Sequence, residues 1–359
     1  MPVRPRLTTA LPRHLAIAYG LLVIYACLNP FSGWRETGLP LFDFLAAPWP
    51  HYYRGIDLIL NVLGFLPLGF VMVPAMPSRL SRSTCVLLTV VLCAMLSLSL
   101  ETVQNFLPTR VPSNVDLGCN TLGALLGALA GAYIGHDLFD RRGWLHRWRM
   151  RRILHGNLGD AGLMLLGLWL FTQLSPESLL FGSGDLRSLL ALPTPLSFSA
   201  PQFLRLETSI TASHLVAVGL LARSMMREPS PWSIATLIVL GLATKTLAAS
   251  SFFVPGQPLN WLTPGASVGL VAGIPILGLA LLLPRAGVQV LAGLALLIAT
   301  VLANLAPDNP YLQANVPLLN QGHFLNFHGA TVLVSSLWPF LALVYLGLLG
   351  SLRSAGPRR

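Results

Sequence analysis

The chain has 359 residues, of which 54% are hydrophobic and only 10% are charged. Soluble domains carry roughly 25% charged residues, so this composition excludes an ordinary soluble fold and predicts a membrane protein. The formal net charge of +10 does not indicate a nucleic-acid partner, because the positive side chains alternate in density between successive loops, as membrane topology requires.

Apolar runs of about the 20 residues needed to cross hydrocarbon as a helix recur along the whole chain. The short alternating strands of a transmembrane barrel are missing. The sequence therefore predicts an all-α polytopic transmembrane helix bundle of about ten spans. In chain order, spans 1 to 10 are predicted at about 14–30, 57–75, 84–105, 116–135, 159–175, 207–223, 232–254, 263–283, 286–304 and 328–350.

The arginines predict the orientation of these spans. Seventeen of them lie in the N-terminal segment, in the loops after spans 2, 4, 6 and 8 and in the C-terminal tail, whereas the opposite loops hold five. Since such residues are retained on the cytoplasmic side, both termini are predicted to be cytoplasmic. The densest run falls in a predicted basic cytoplasmic linker, residues 141–158, which either lies against anionic headgroups or only anchors the topology.

A thirteen-residue motif occurs twice in the first part of the chain. The copies are DLILNVLGFLPLG from Asp57 and DLGCNTLGALLGA from Asp116. Both place an amide, Asn61 or Asn120, four residues after the acid. An acid at a helix start is explained by N-capping. N-capping does not explain the amides, because each lies about 6 Å deeper on the same helical face and needs a partner inside the bundle.

Span 3 ends at the same predicted outer level with a polar face that contains Glu101, Gln104 and Asn105. A carboxylate at a helix C-terminus faces the negative end of the helix dipole, so Glu101 is predicted to be protonated or paired with a cation. Arg110 in the following loop is the nearest candidate cation, and Arg54 is the second. The cluster is either a structural ion-pair network or a substrate site, and function is the default for ionisable groups inside a membrane.

Span 4 carries glycine at every fourth position, at residues 123, 127, 131 and 135. A stripe of this kind lets a neighbouring helix approach closely, which predicts a central position for span 4 in the bundle. Pro67 lies within span 2 and removes a backbone donor, so a kink is predicted there.

The polar motifs of spans 2 to 4 form one recognisable set. In sequence order they are Asn61-x-x-x-Phe65-x-Pro67-x-Gly69, Glu101-x-x-Gln104, Pro108-x-Arg110 and Asp116-x-x-x-Asn120-x-x-Gly123. This set resembles the VanZ-like family of bacterial membrane proteins over about residues 14–136. The resemblance implies a four-span domain at residues 1–140, a place in the bacterial cell envelope and a link to glycopeptide resistance, but no particular reaction. Many short members of the family have His where this chain has Asn61.

Residues 159–359 are predicted to form a second, six-span membrane region of unknown role. Its most unusual residue is Lys245, the only lysine of the chain, within span 7. Glu207 and His214 on span 6 are predicted at a similar depth and are candidate partners in a second site. The alternative is that Lys245 extends along the helix towards the membrane surface.

Two long loops of this region, 176–206 and 305–327, contain proline and few basic residues. Residues 179–190 are predicted to form a short amphipathic helix on the outer surface. The second loop is rich in amides and has His323 and His328 near the membrane. The two loops either cover an outer cavity or form a structural lid without a ligand.

The leading functional interpretation is a non-enzymatic inner-membrane protein that binds a lipid, polyprenyl or glycopeptide-type amphiphile at an outer-leaflet polar site. The residues predicted for that site are Asp57, Asn61, Glu101, Gln104, Arg110, Asp116 and Asn120. One alternative is a membrane enzyme with Glu101 and Asp116 as acid and base. A transporter ranks third, because the repeat is parallel rather than inverted. No cofactor and no metal are predicted, since the cysteines and histidines lack metal-ligand spacing.

Overall fold

The protein is described here from a computed structural model in which the fold is all-α, as predicted. The described residues are 11–29, 31–36, 38, 40–48, 55–108, 110–140, 143–175, 178–190, 192–252, 258–307 and 328–354. Within these ranges no β-strand forms.

Each of the ten predicted spans coincides with a helix. In the first half these are α1 (Leu11–Leu28), α3 (Gly55–Ala75), α4 (Arg82–Gln104) and α5 (Asn114–Ala130), which continues as a π-helix over Gly131–Gly135. In the second half they are α8 (Asn157–Thr172), α10 (Ala200–Met225), α11 (Pro231–Phe252), α12 (Pro264–Ala280), α13 (Arg285–Leu305) and α14 (His328–Ser354). Four short helices lie between them: α2 (Asp43–Ala46), α6 (His136–Phe139), α7 (Trp144–Arg152) and α9 (Arg187–Leu190).

Seven helices among the described residues are long and apolar enough to cross a membrane. They are α1, α3, α4, α5 with its π-helical extension, α11, α13 and α14. The helices α8 and α12 are apolar but shorter, with 16 and 17 residues. These helices show a multi-pass membrane protein, and the figure of ten spans stays a prediction.

The chain divides into two compact units, the first ending at Arg151 and the second beginning at Arg152. In the first unit α3 and α5 are in direct backbone contact. A Cβ atom added at Gly123, Gly127 or Gly131 would lie 2.2, 2.0 or 2.4 Å from a backbone carbonyl oxygen of α3. No larger residue fits at these positions, so the close approach predicted from the glycine spacing is confirmed.

In the second unit α10 is the central helix. Every residue from His214 to Met225 is buried, which is typical of a helix surrounded by others on all sides. Its apolar neighbours include Trp169 of α8, Leu277 of α12 and Trp338 of α14.

The prediction of an amphipathic surface helix over residues 179–190 is wrong for most of that stretch. Only Arg187–Leu190 is helical, whereas residues 180–184 form an irregular segment that is buried. Helices α13 and α14 satisfy its backbone: Asn304 Nδ2 donates to the Gly184 carbonyl at 2.7 Å, and the Gly184 amide donates to the Ser335 carbonyl at 2.8 Å. Irregular backbone is tolerated inside a membrane bundle only with such partners, which helical periodicity does not reveal.

Candidate functional site

The site is built around the first turn of α5. Ser113 is the N-cap of this helix, and its hydroxyl accepts hydrogen bonds from the backbone amides of Val115 and Asp116 at 3.2 and 3.4 Å. The interpretation of Asp116 as an N-cap is therefore wrong, because Ser113 has that role and Asp116 is the third residue of the helix. The carboxylate of Asp116 is thus available to a neighbouring helix.

That neighbour is α3. The Asn61 side-chain amide donates to Asp116 Oδ1 at 2.8 Å, and Asn61 is only 3% exposed. This bond supplies the buried amide with the partner that its depth requires. The side chain of Asp57 and all of Arg54 lie outside the described residues.

Helix α4 adds a second acid beside the same turn. Glu101 is 4% exposed, and its Oε2 accepts a hydrogen bond from the Ser113 backbone amide at 2.9 Å. Ser113 thus holds Glu101 through its backbone while its hydroxyl caps the turn that carries Asp116. The two carboxylates belong to one hydrogen-bonded cluster, although they come from different helices.

One turn further along both helices, the polar contact continues. Asn120 Nδ2 donates to the Ser97 hydroxyl at 2.9 Å, and both residues are buried. The other amide atom, Asn120 Oδ1, has no hydrogen-bond partner among the residues that the structure describes.

Arg110 and Gln104 bind the end of α1. The Arg110 guanidinium donates through Nη2 to the carbonyls of Ala26 and Asn29 at 3.0 and 3.2 Å, and Gln104 Nε2 donates to the carbonyl of Cys27 at 3.0 Å. The last carbonyls of a helix have no partner within the helix and carry partial negative charge, so these donors stabilise the end of α1.

Arg110 is half-buried in the loop between α4 and α5. Burial lowers the pKa of its guanidinium, while Cys27 and Glu101 nearby act in the opposite direction. An arginine stays protonated despite such a shift. The cluster therefore contains a fixed positive charge beside its two acids.

Two further amides bind the segment before α3. Asn105 belongs to the polar face predicted for span 3, whereas Asn114 was not predicted. Asn105 Nδ2 donates to the Leu41 carbonyl at 3.0 Å, and Asn114 Nδ2 donates to the Ala47 carbonyl at 2.8 Å. The side chains of Leu41, Phe42 and Leu45 nevertheless stay exposed. Asn114 directly follows the N-cap Ser113, and no local sequence signal indicates its partner, 67 residues earlier.

The residues predicted for a second site are placed in three separate sets of contacts. Lys245 Nζ donates to the carbonyls of Ser175 and Ser178 at 2.6 Å each. Glu207 accepts a hydrogen bond from the Thr263 hydroxyl at 2.5 Å. No hydrogen bond between described residues joins Lys245 to Glu207 or His214, and the 1% exposure of Lys245 excludes its extension to the surface.

His214 has its own partner in the buried irregular segment. Its Nε2 lies 3.0 Å from the Ser183 hydroxyl, and its Nδ1 lies 3.1 Å from the Ile210 carbonyl. Since a carbonyl only accepts, Nδ1 carries the proton and Nε2 accepts from Ser183. The other histidines named from the sequence, His323 and the side chain of His328, lie outside the described residues.

Comparison with known proteins identifies a family for one part of this chain. No curated protein and no solved structure matches it. Residues 16–134, which contain most of α1, all of α3 and α4 and almost all of α5 with its π-helix, match the model of the VanZ/LLP1 family. The resemblance drawn from the polar motifs is thereby confirmed, and the protein is a multi-pass membrane protein whose residues 16–134 form a VanZ-like region.

Proposed function

We propose that this VanZ-like protein binds the polar head of an envelope amphiphile in the outer leaflet of the bacterial inner membrane, with both termini in the cytoplasm. The ligand class is a lipid, polyprenyl or glycopeptide-type amphiphile, and binding influences glycopeptide susceptibility. The observation that supports this most directly is the cluster itself: Glu101 and Asp116 lie on either side of Ser113, with Asn61 bonded to Asp116.

The burial pattern supports a headgroup approaching from the Asp116 side. Glu101 and Asn61 are buried, whereas Asp116 and Arg110 are only half-buried. The half-buried pair offers one acid and one cation, which suits a headgroup that carries both signs of charge. Buried Asn61 orients Asp116 through its hydrogen bond, and the carbonyls of Ala26 and Asn29 orient Arg110.

Apolar surface adjoins the same cluster. Val111, next to Arg110, is 78% exposed. Ile59 and Leu63 are exposed too, but they lie two positions from Asn61 and therefore on the opposite face of α3. In a bilayer an acyl or prenyl chain can lie against Val111 while its headgroup contacts Arg110 and Asp116.

Lipid co-purification tests the proposal. The wild-type protein and the Asp116→Asn variant are purified in the same mild detergent, and the bound lipids are quantified by mass spectrometry. The Asn side chain keeps an acceptor for Asn61 but loses the negative charge. The fold is therefore expected to be retained, whereas binding of the lipid headgroup is expected to be lost. The matched control is Asp137→Asn, since Asp137 is exposed in α6 of the same unit. Equal lipid content in all three proteins would contradict the proposal.

An enzyme that acts on an envelope lipid is the second candidate. It is favoured by the unlike environments of the two acids, because Glu101 is buried against a backbone amide whereas Asp116 is half-buried against a side-chain amide. Such a difference suits a division into acid and base. Turnover of the co-purified lipid by wild type, lost in both Glu101→Gln and Glu101→Ala, would establish this candidate instead.

A further inference from the structure

The buried face of α4 is polar along almost the whole helix. At every fourth position it presents a polar or sulfur-containing side chain that is between 0% and 4% exposed. These side chains, the α4 column, are Cys85, Thr89, Cys93, Ser97 and Glu101. The opposite face is apolar and exposed, with Leu88, Leu92 and Met95 among its members.

The length of the α4 column is comparable to the thickness of a bilayer core. A helix rises 1.5 Å per residue, so the column extends over roughly 24 Å of the roughly 30 Å of hydrocarbon. Successive members are separated by roughly 6 Å along the axis. A water molecule that hydrogen-bonds to two groups spans roughly 5.6 Å, which is close to that separation.

Two buried oxygens, one beside the column and one in it, find no partner among the residues that the structure describes. They are Asn120 Oδ1, on the amide that donates to Ser97, and the hydroxyl oxygen of Thr89. Neither has a hydrogen-bond partner within the described parts of the chain. Buried polar atoms are rarely left unsatisfied, and an internal water is their usual partner when protein offers none.

We propose that the α4 column holds a file of water molecules that gives protons a route between the Glu101 cluster and the arginine-rich end of α4. At the first end, Glu101 lies near Asp116 of α5, Cys27 of α1 and Arg110 of the connecting loop. At the other end the helix begins at exposed Arg82, with the hydroxyl of Ser81 as its N-cap. Polar groups therefore continue to the surface of the unit at both ends.

The alternative is that the α4 column contains no water and that its side chains only pack against the neighbouring helices. Cysteine, serine and threonine pack well in membrane helices, and Cys93 Sγ lies 3.6 Å from Met72 Sδ of α3. That account explains the small side chains. It leaves Asn120 Oδ1 and the Thr89 hydroxyl oxygen without a hydrogen bond at membrane depth, which costs free energy.

Cys93 is a native reporter at the centre of the α4 column. In the full-length chain, Cys27 and Cys119 are replaced by alanine and Cys85 by serine, which keeps a polar group in the column. The rate of modification of Cys93 by a small water-soluble methanethiosulfonate is then measured in proteoliposomes. Only the hydrated thiolate reacts, so a water file makes Cys93 at least about tenfold more reactive than a cysteine in lipid. The comparison is Leu92→Cys with Cys93→Ala in the same background, at the same depth on the exposed face. Equal rates at the two positions would overturn the proposal.

Two serine variants show whether the modification rate of Cys93 reports water in the column or loosened helix packing. Ser97→Ala removes a hydroxyl from the column and is expected to slow Cys93 modification several-fold, whereas Ser99→Ala changes the same residue type on the exposed face and leaves the rate unchanged. A slowing of the same size in both variants would mean that the reagent reports loosened packing, which would also overturn the proposal.

Proton movement is measured in the same proteoliposomes with an internal pH dye under a potassium-diffusion potential. We expect protein-dependent proton flux that is lost in Glu101→Gln and in Thr89→Val. Flux equal to that of empty vesicles would exclude the proton route. Neither measurement depends on an amphiphile bound at Asp116, so their failure leaves the proposed headgroup site standing, and loss of lipid binding leaves the water file standing.

Discussion

The amide of Asn61 and the acid of Asp116, 2.8 Å apart, connect the two copies of the repeated motif. Asn61 is the amide of the first copy, and Asp116 is the acid of the second copy. The remaining amide, Asn120, bonds to Ser97 of α4 instead. The repeat therefore does not make two equivalent sites. It makes one cluster in which α3, α4 and α5 each supply a different group.

This pairing predicts the effect of removing the amide. Asn61→Leu removes the hydrogen bond that Asp116 Oδ1 accepts from the buried amide, which is expected to destabilise the protein by about 1–3 kcal/mol. Thermal unfolding of the detergent-solubilised protein measures the change. Ile59→Leu, on the exposed face of α3, is the control and should leave the midpoint unchanged. The double variant Asn61→Leu with Asp116→Leu should recover part of the loss, and additive losses would show that the two side chains are not coupled.

The backbone contact between α3 and α5 gives a second prediction. Gly127→Ala places a methyl group 2.0 Å from the Leu66 carbonyl oxygen, so the helices must separate, and an unfolding free energy lower by about 1–3 kcal/mol is expected. Gly118→Ala is the matched control in the same helix, since nothing lies within 4 Å of its Cβ position. That control should be neutral or more stable by up to about 1 kcal/mol, because alanine is the better helix former. A loss in Gly118→Ala as large as in Gly127→Ala would contradict the close contact.

Much of this arrangement follows from local sequence. The helices follow from apolar runs, and the close approach of a neighbouring helix to α5 follows from glycine at every fourth position, although this spacing does not indicate which helix that is. The meeting of Glu101, Asp116 and Asn61 follows from the depth at which each polar residue enters its span. All three inferences need only the geometry of one helix and the thickness of the bilayer.

Other features were beyond such reasoning because their partners are distant in the chain. Lys245 bonds to Ser175 and Ser178, about seventy residues earlier, and Gly184 bonds to Asn304 and Ser335, more than a hundred residues later. No periodicity links such residues. Ser113 is different, since a serine three residues before an acid at a helix start is a local capping signal that the more prominent Asp116 obscured.

Lys245 gives a third prediction. Its ammonium donates to two carbonyls and a hydroxyl in the connection that follows α8. Lys245→Met keeps the apolar length of the side chain but removes the charged donor from both carbonyls and leaves the Ser175 carbonyl with only the Ser178 hydroxyl, so a loss of about 2 kcal/mol or more is expected. Thr244→Val changes an exposed neighbour on the same helix and serves as the control. If Lys245→Met unfolds at the wild-type temperature, the lysine is not needed to hold the connection, and a functional role becomes the better account.

The last prediction concerns the envelope phenotype and separates binding from catalysis. The chain is expressed in a glycopeptide-sensitive bacterium, and the minimal inhibitory concentration is compared for wild type, Asp116→Asn and the control Asp137→Asn. We expect wild type and Asp137→Asn to raise the concentration equally and Asp116→Asn to lose the effect, because only Asp116 belongs to the cluster. Glu101→Gln, which keeps an acceptor for the Ser113 amide, should retain most of the effect if the site binds a headgroup. Loss of the effect in Glu101→Gln at wild-type membrane abundance would instead require a carboxyl group that exchanges a proton, and the enzyme would then replace the binding protein as the better account.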